Sequence, residues 1–355
     1  MGKIRVVIAD DSSLARGLLH ELLEEENDIE VVGEAGNGRQ AIDLVRELHP
    51  DLVTMDLEMP VVNGLQAIEE IMCNNAVPIL VVSSIADAHT ALEAVGRGAL
   101  EVVGKPDHTP AAAADFVAKV RLLAGVSVIT RMRPHKILST ADATLPPAEL
   151  SPRLADTYQR VFAIAASTGG PQALAQILPA LPAGFPCPVL IAQHIADGFV
   201  DGMVDWLSEL CRLPVRLASD GEWLQAGIIY LSPSERHFSV TPQRRVALVE
   251  RGPQDVYRPS CDVLLSSVAD VFGRRAIGII LSGMSSDGVN GLARIRAKGG
   301  MTLAQDEASS VIYGMNRVAF ETGAVQQILP LEMIADTMTM LADPLRMSTV
   351  AEGPA

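Results

Sequence analysis

From residue 4 onward, short β-branched runs alternate with stretches of helical spacing, and this alternation restricts the fold more than any other feature of the chain. The runs "IRVVIAD", "IEVVGEA", "LVTMD", "PILVVSS" and "EVVGKP" are each followed by a helical pattern, over residues 13–25, 38–48, 64–74, 88–97 and 111–123. Continuous apolar strands separated by helices predict a parallel sheet covered on both faces, with ligands at the carboxyl ends of its strands. A second alternating set predicts strands at 161–166, 189–193, 228–231, 276–281 and 301–304, and "HFSVTPQRRVALVE" predicts a hairpin within it.

The fold class is therefore α/β with two doubly wound domains: a five-stranded parallel sheet, then a larger, mostly parallel, Rossmann-like sheet mixed at one edge. A length of 355 residues also favours two cores over one. Between 124 and 160 the apolar periodicity lapses while Pro134, Pro146, Pro147 and Pro152 accumulate, which predicts a flexible, surface-exposed linker. The expected domains are 1–123 and 161–347, with 348–355 a frayed tail that has no aromatic anchor for tethering.

Charge narrows the function. The chain holds 28 Lys and Arg against 43 Asp and Glu, a formal charge of -15 that repels phosphate backbones and anionic lipid. Nucleic acid is thereby disfavoured as a partner. Cys73, Cys187, Cys211 and Cys261 are far apart with no metal-binding spacing, so buried free thiols and a reducing compartment are expected. With no signal-peptide pattern and no run of 18 apolar residues, the expectation is a cytoplasmic protein without direct membrane insertion.

In the first domain Asp10 and Asp11 end the first strand, Asp56 ends the third, Ser83 ends the fourth and Lys105 follows the fifth, all on one sheet edge. Three crowded carboxylates call for a hard cation such as Mg²⁺, beside which Asp56 could attack a phosphoryl donor while Ser83 and Lys105 contact the added oxygens. The competing reading is that these aspartates only cap helices and turns. The pieces "VVIADDS", "LVTMDLEMPVVNGLQAI", "PILVVSS" and "GKP" resemble, in order and spacing, a two-component receiver domain. That resemblance implies Asp56 as phosphoacceptor, Asp10, Asp11, Asp56 and the Glu58 carbonyl around Mg²⁺, and a histidine kinase as phosphodonor. One position departs: Val102 stands where receivers carry an aromatic switch residue.

In the second domain "VFAIAASTGGPQALAQIL" breaks at Ser-Thr-Gly-Gly-Pro between a strand and a helix. Ser167 or Thr168 could cap that helix, the turn could bind phosphate, or Ser167 could be a nucleophile. The spacing fits neither glycine-rich phosphate loop, and Ala165 breaks the hydrolase elbow pattern. A nucleophile needs a base and an orienting carboxylate. His194 follows the next strand in "VLIAQHIADGF", and Asp287 lies in the turn of "LSGMSSDG" after a later one, so a parallel sheet would bring all three to one rim. His237 is the one rival base.

Together "IAASTGGPQAL", "AQHIADGF", "YRPSCDVLLSSV", "LSGMSSDG" and "QDEASSVIYGMNRVA" resemble the chemotaxis response-regulator protein-glutamate methylesterases, over nearly the whole chain. The resemblance implies hydrolysis of γ-glutamyl methyl esters, with deamidation of glutamines, on methyl-accepting chemotaxis receptors, stimulated by receiver phosphorylation. It implies Ser167 as nucleophile, His194 as base and Asp287 as orienting carboxylate, with no cofactor for ester hydrolysis. Backbone N–H groups near the start of the following helix and around Met284 are the expected oxyanion donors, with Thr168, Gly169 and Met284 as oxyanion or active-site support. Ala165, Ser282 and Asn316 stand where the family commonly has Gly, Thr and Pro. Two other classes stay open: a phosphorylation-dependent binding module, and a receiver-controlled hydrolase of small esters.

Overall fold

A computed structural model describes residues 2–107, 109–128, 158–252 and 255–342. The chain divides into two compact units. The first alternates β1 (Ile4–Ala9), α1 (Ser13–Glu24), β2 (Ile29–Ala35), α2 (Gly38–Leu48), β3 (Leu52–Met55), α3 (Gly64–Asn74), β4 (Ile79–Ser83), α4 (Ala88–Arg97), β5 (Glu101–Gly104) and α5 (Pro110–Ala124). Its five strands run β2-β1-β3-β4-β5, every pair parallel. The inner strands β1, β3 and β4 are nearly all apolar because helices cover both faces: Val6, Val7, Ile8, Val53 and Leu80 are fully buried. Ser12, Asn37, Asn63 and Thr109 start four of the helices by accepting a backbone N–H at their side-chain oxygen. The order reverses beside β1, so the ends of β1 and β3 flank a crevice.

The second unit contains β6 (Val161–Ala166), α6 (Gly170–Ile177), β7 (Val189–Gln193), α7 (Val200–Leu210), β8 (Val215–Leu217), β9 (Ile229–Leu231), β10 (Arg236–Val240), β11 (Val246–Glu250), α8 (Cys261–Phe272), β12 (Ala276–Ile280), α9 (Val289–Ala297), β13 (Met301–Gln305), α10 (Met315–Glu321), β14 (Gln327–Leu329) and α11 (Leu331–Ala342). Seven strands form one sheet in the order β14-β13-β12-β6-β7-β9-β8. Strands after β6 build outward on one side and those from β12 onward on the other, so the switch point falls where β6 meets β12.

Several expectations need correction here. All pairings in the seven-stranded sheet are parallel, and the antiparallel pair β10–β11 forms a separate two-stranded sheet, so the large sheet is not mixed at its edge. The three-residue strands β8 and β14 were not anticipated from the alternation. Most of the expected linker, residues 129–157, and the tail 348–355 lie outside the described residues. Tyr158 is not exposed linker: it is 3% accessible and packs its ring 6.2 Å from that of Phe272. An aromatic side chain gains more from burial than a linker position gives it, which draws this end of the segment into the core. Of the four free thiols, Cys187 and Cys261 are buried, whereas Cys73 and Cys211 are only partly so.

Candidate active site

Two sites form at strand ends, one in each unit. In the first, Asp10, Asp11 and Asp56 bring carboxylate oxygens within 4.8 Å of one another. Lys105 donates to Asp10 Oδ2 at 2.8 Å and lies 3.3 Å from Asp56 Oδ1. Burial, then the neighbouring Asp10 charge, pushes the Asp56 carboxyl up to about 6, against the pull of Lys105. The hydroxyl of Ser83 is buried on the same edge without a hydrogen-bond partner. Oxygen donors whose mutual repulsion one ammonium does not cancel suit a hard divalent cation, and an orphaned buried hydroxyl suits an added phosphoryl oxygen. The Glu58 side chain is exposed, leaving its backbone carbonyl as the group it can offer. Gly64 lets α3 start against this loop: a Cβ there would sit 2.2 Å from the Asp56 carbonyl oxygen. Val102 pairs with Val81 and is buried, so an aliphatic side chain fills the switch position.

In the second unit the chain leaves β6 at Ser167 and β7 at His194. Ala166 pairs with Gln193, so Ser167 and His194 occupy the next rung of adjacent strands, and the His194 N–H donates to the Ala166 carbonyl at 2.9 Å. Neighbouring strands lie about 4.8 Å apart, which brings serine and histidine side by side at the rim. The Ser167 hydroxyl makes no hydrogen bond to any described residue. Its backbone is held from both sides: the N–H donates to the Ser282 carbonyl at 3.0 Å, and Gln193 Nε2 donates to its carbonyl at 2.8 Å.

The capping alternative fails. Gly169 is the N-cap of α6, with φ 79 and no side-chain cap, so Ser167 and Thr168 stand before the helix and do not close it. Gly169 is required there, since an added Cβ would meet Val311 at 2.5 Å as well as the unfavourable φ. From the other side Gly283 lets the loop after β12 approach Ser167, where a Cβ would lie 2.6 Å from that of the serine. Ser282 joins these loops, donating to the Thr168 carbonyl at 2.7 Å and accepting from the Ile312 N–H at 2.9 Å. Thr168 is buried, Met284 is exposed, and the N–H groups of Gly169 and Met284 take no partner among the described residues.

Asp287 lies in the turn between β12 and α9. Its Oδ2 is 2.8 Å from His194 Nε2 and accepts the Cys261 N–H at 2.5 Å; its Oδ1 accepts Ser260 Oγ at 2.9 Å and the Asp262 N–H at 3.0 Å. The carboxylate thus sits on the N-terminus of α8, where backbone donors and the helix dipole favour negative charge. Burial opposes ionisation of Asp287, but the His194 hydrogen bond and these backbone donors outweigh it and hold the carboxyl below its ordinary value. With Asp287 on Nε2, the imidazole keeps its lone pair on Nδ1. Tyr257 stacks on the ring, with centroids 5.2 Å apart and planes 10° from parallel, so His194 is held on its face as well as its edge.

The rival His237 is engaged on both ring nitrogens, Nε2 with Asp255 at 2.9 Å and Nδ1 accepting the Ser260 N–H at 2.9 Å. Three contributors escaped sequence reasoning: Tyr257, Ser260 and Cys261, the last with Sγ 3.4 Å from His194 Nε2. All stand in "YRPSCDVLLSSV", where Ser260 accepting the Val263 N–H was a legible helix start. Burial pushes the Cys261 thiol well above its ordinary range, so it is neutral beside the pair. The substituted positions are buried: Ala165 packs opposite Gly288, and the Asn316 amide donates to the Gln305 carbonyl at 2.8 Å while its Oδ1 is left without a hydrogen-bond partner.

Comparison with known proteins follows the same division. A CheB methylesterase family model matches residues 162–338, and a response regulator receiver domain model matches residues 6–114. Over 339 residues the chain is 54% identical to a Paramagnetospirillum magneticum protein named protein-glutamate methylesterase/protein-glutamine glutaminase 3, covering 95% of this chain and 96% of that one. A Myxococcus xanthus protein of the same name is 42% identical over 363 residues, 99% of this chain and 98% of its own. The crystal structure of the Thermotoga maritima CheB methylesterase catalytic domain superposes with a TM-score of 0.50 at 31% identity, covering 51% of this chain and 98% of that domain. A serine and a His-Asp pair at the switch point of one sheet and a carboxylate pocket at that of the other thus accompany matches to both family models, and the chain belongs to the CheB methylesterase family as a hydrolase that also carries a response regulator receiver domain.

Proposed function

We propose that this enzyme removes methyl groups from γ-glutamyl methyl esters, and amide nitrogen from glutamines, on methyl-accepting chemotaxis receptors in the cytoplasm. The observation that carries the reading is the 2.8 Å contact between His194 Nε2 and Asp287 Oδ2 one strand away from Ser167. Nδ1 of His194 takes the Ser167 proton as Oγ adds to the ester carbonyl. The oxyanion that forms is stabilised by the Gly169 and Met284 N–H groups, with Thr168 shaping the turn. The protonated imidazole then gives its proton to the departing methoxide, releasing methanol, and the glutamyl ester of Ser167 is hydrolysed by a water that His194 deprotonates in turn. For a glutamine the leaving group is ammonia by the same sequence.

In the receiver, residues 1–123, Asp56 is the phosphoacceptor, with a histidine kinase as donor. Asp10, Asp11, Asp56 and the Glu58 carbonyl would hold Mg²⁺, which when bound neutralises charge on the incoming phosphoryl group. Lys105 and Ser83 contact the phosphoryl oxygens. A linker that ends before Tyr158 joins the receiver to the hydrolytic domain, and receiver phosphorylation raises hydrolysis by favouring the competent state. Membrane receptors are reached through their cytoplasmic helices; no helix among the described residues is long and apolar enough to cross a membrane.

The test is methanol release from methylated receptor membranes by wild type and by Ser167→Ala. The variant should lose at least about a thousandfold in rate while unfolding like wild type; equal rates would discard the nucleophile.

A further inference from the structure

The hydrolytic mechanism leaves one side chain of its neighbourhood unused. Cys261 Sγ lies 3.4 Å from the same His194 Nε2 that Asp287 Oδ2 meets at 2.8 Å, and the three donor atoms all fall within 4.8 Å of one another. Imidazole, thiolate and carboxylate are the donors that zinc takes, at about 2.0–2.3 Å, with a solvent molecule completing a tetrahedron. Donors at those bond lengths stand roughly 3.3–3.6 Å apart, so the sulfur is already at zinc spacing from the imidazole nitrogen, the His-Asp contact must open by about half an ångström, and the sulfur and carboxylate oxygen, within 4.8 Å of each other, close on the same ion. The elements that hold these residues are the end of β7, the start of α8 and the turn after β12, which are cross-linked by hydrogen bonds to Asp287. The donors are therefore preorganised.

We infer that His194, Cys261 and Asp287 form an inhibitory zinc site. The ion takes the Nε2 lone pair, so the single proton of the neutral imidazole moves to Nδ1, and the Cys261 thiol loses its proton to solvent. Thiolate and carboxylate then balance the two positive charges. An Nδ1 that carries a proton cannot accept the one from Ser167, and hydrolysis stops without any change in the serine. This consequence rests on the proposed role of His194 as base; the binding itself does not. Magnesium does not compete, because it prefers an all-oxygen shell.

The test uses the full chain with Mg²⁺ in excess to occupy the receiver carboxylates. Titration with Co²⁺, a spectroscopic substitute for zinc, should produce a thiolate-to-cobalt charge-transfer band that added Zn²⁺ abolishes. Cys261→Ala, and Cys261→Val as a volume-conserving second variant, should show no band. In parallel Zn²⁺ should inhibit methanol release by wild type reversibly to a chelator. Each variant, measured against its own zinc-free rate, should need at least about tenfold more zinc for half-inhibition. A missing band in wild type, an equal band in both variants, or equal zinc sensitivity in all three proteins would overturn the proposal. A cysteine-dependent band without inhibition would overturn the inhibitory role and count against His194 as base, whereas failure of Ser167 as nucleophile is read separately from the methanol assay on Ser167→Ala.

Discussion

Asp287 gathers four donors onto one carboxylate. Both of its oxygens are occupied by donors, His194 and Cys261 on one side and Ser260 and Asp262 on the other. An amide in its place must turn an NH₂ toward some of these donors. Asp287→Asn is therefore expected to cost about 1–3 kcal/mol and to lower methanol release by about 10³-fold or more, through loss of the correct imidazole tautomer. Because the folded Asp287 carboxyl is held below its ordinary value, its stabilisation is complete above the unfolded value of about 4 and is lost as pH falls through the folded one. The stability difference between wild type and Asp287→Asn, followed by denaturant unfolding, should accordingly shrink below about pH 4. Asp56 has the opposite sign. Its carboxyl is pushed up to about 6, so ionisation disfavours the folded receiver as pH rises from about 4 to 6, and the cost is full above that. Discounted for water at the crevice mouth, Asp56→Asn should stabilise the metal-free protein by about 1–2 kcal/mol at pH 7. Thermal unfolding of the receiver transition measures this, and an unchanged or lowered midpoint would contradict it.

At the level of elements, the site depends on turns that only glycine permits. Gly169→Ala meets both a φ of 79 and a Val311 contact of 2.5 Å, and we expect at least about 1–3 kcal/mol of destabilisation with loss of hydrolysis. A melting temperature within error of wild type would refute that assignment of strain. The same elements explain what could be read in advance. Long apolar runs such as "VFAIAA" and "PILVVSS" are buried on both faces, and their pattern located them without reference to anything distant. The edge strands β8 and β14 have three residues each, too few to generate a period, and they are recruited by pairing with β9 and β13. Ser167, His194 and Asp287 were legible because each follows a readable strand of one parallel sheet. Ser260 and Cys261 were not, because their value depends on α8 pointing its N-terminus at a turn 25 residues later, and Tyr257 was not, because its value depends on stacking over a histidine at another strand end. The capping alternative for Ser167 could be discarded only once α6 was seen to begin after Gly169.

For the molecule as a whole, two sheets of like construction each bring a candidate site to the switch point of strand order, and one polypeptide joins them. The first 123 residues hold 21 acidic against 9 basic side chains, which sets the receiver apart as the more anionic part of a chain carrying -15. Such a surface disfavours anionic lipid. Control of hydrolysis by Asp56 predicts that a small phosphodonor with Mg²⁺ accelerates methanol release by wild type and leaves Asp56→Asn unchanged; acceleration of the variant would place control elsewhere. The central claim, a Ser167 hydroxyl activated by His194 and Asp287, is met most directly by mass spectrometry of the full chain after reaction with an alkyl phosphonate ester that traps serine nucleophiles. The account predicts one covalent adduct on the peptide bearing Ser167, formed at least about a hundredfold more slowly in His194→Ala; an adduct on another residue, or labelling indifferent to His194, would contradict it.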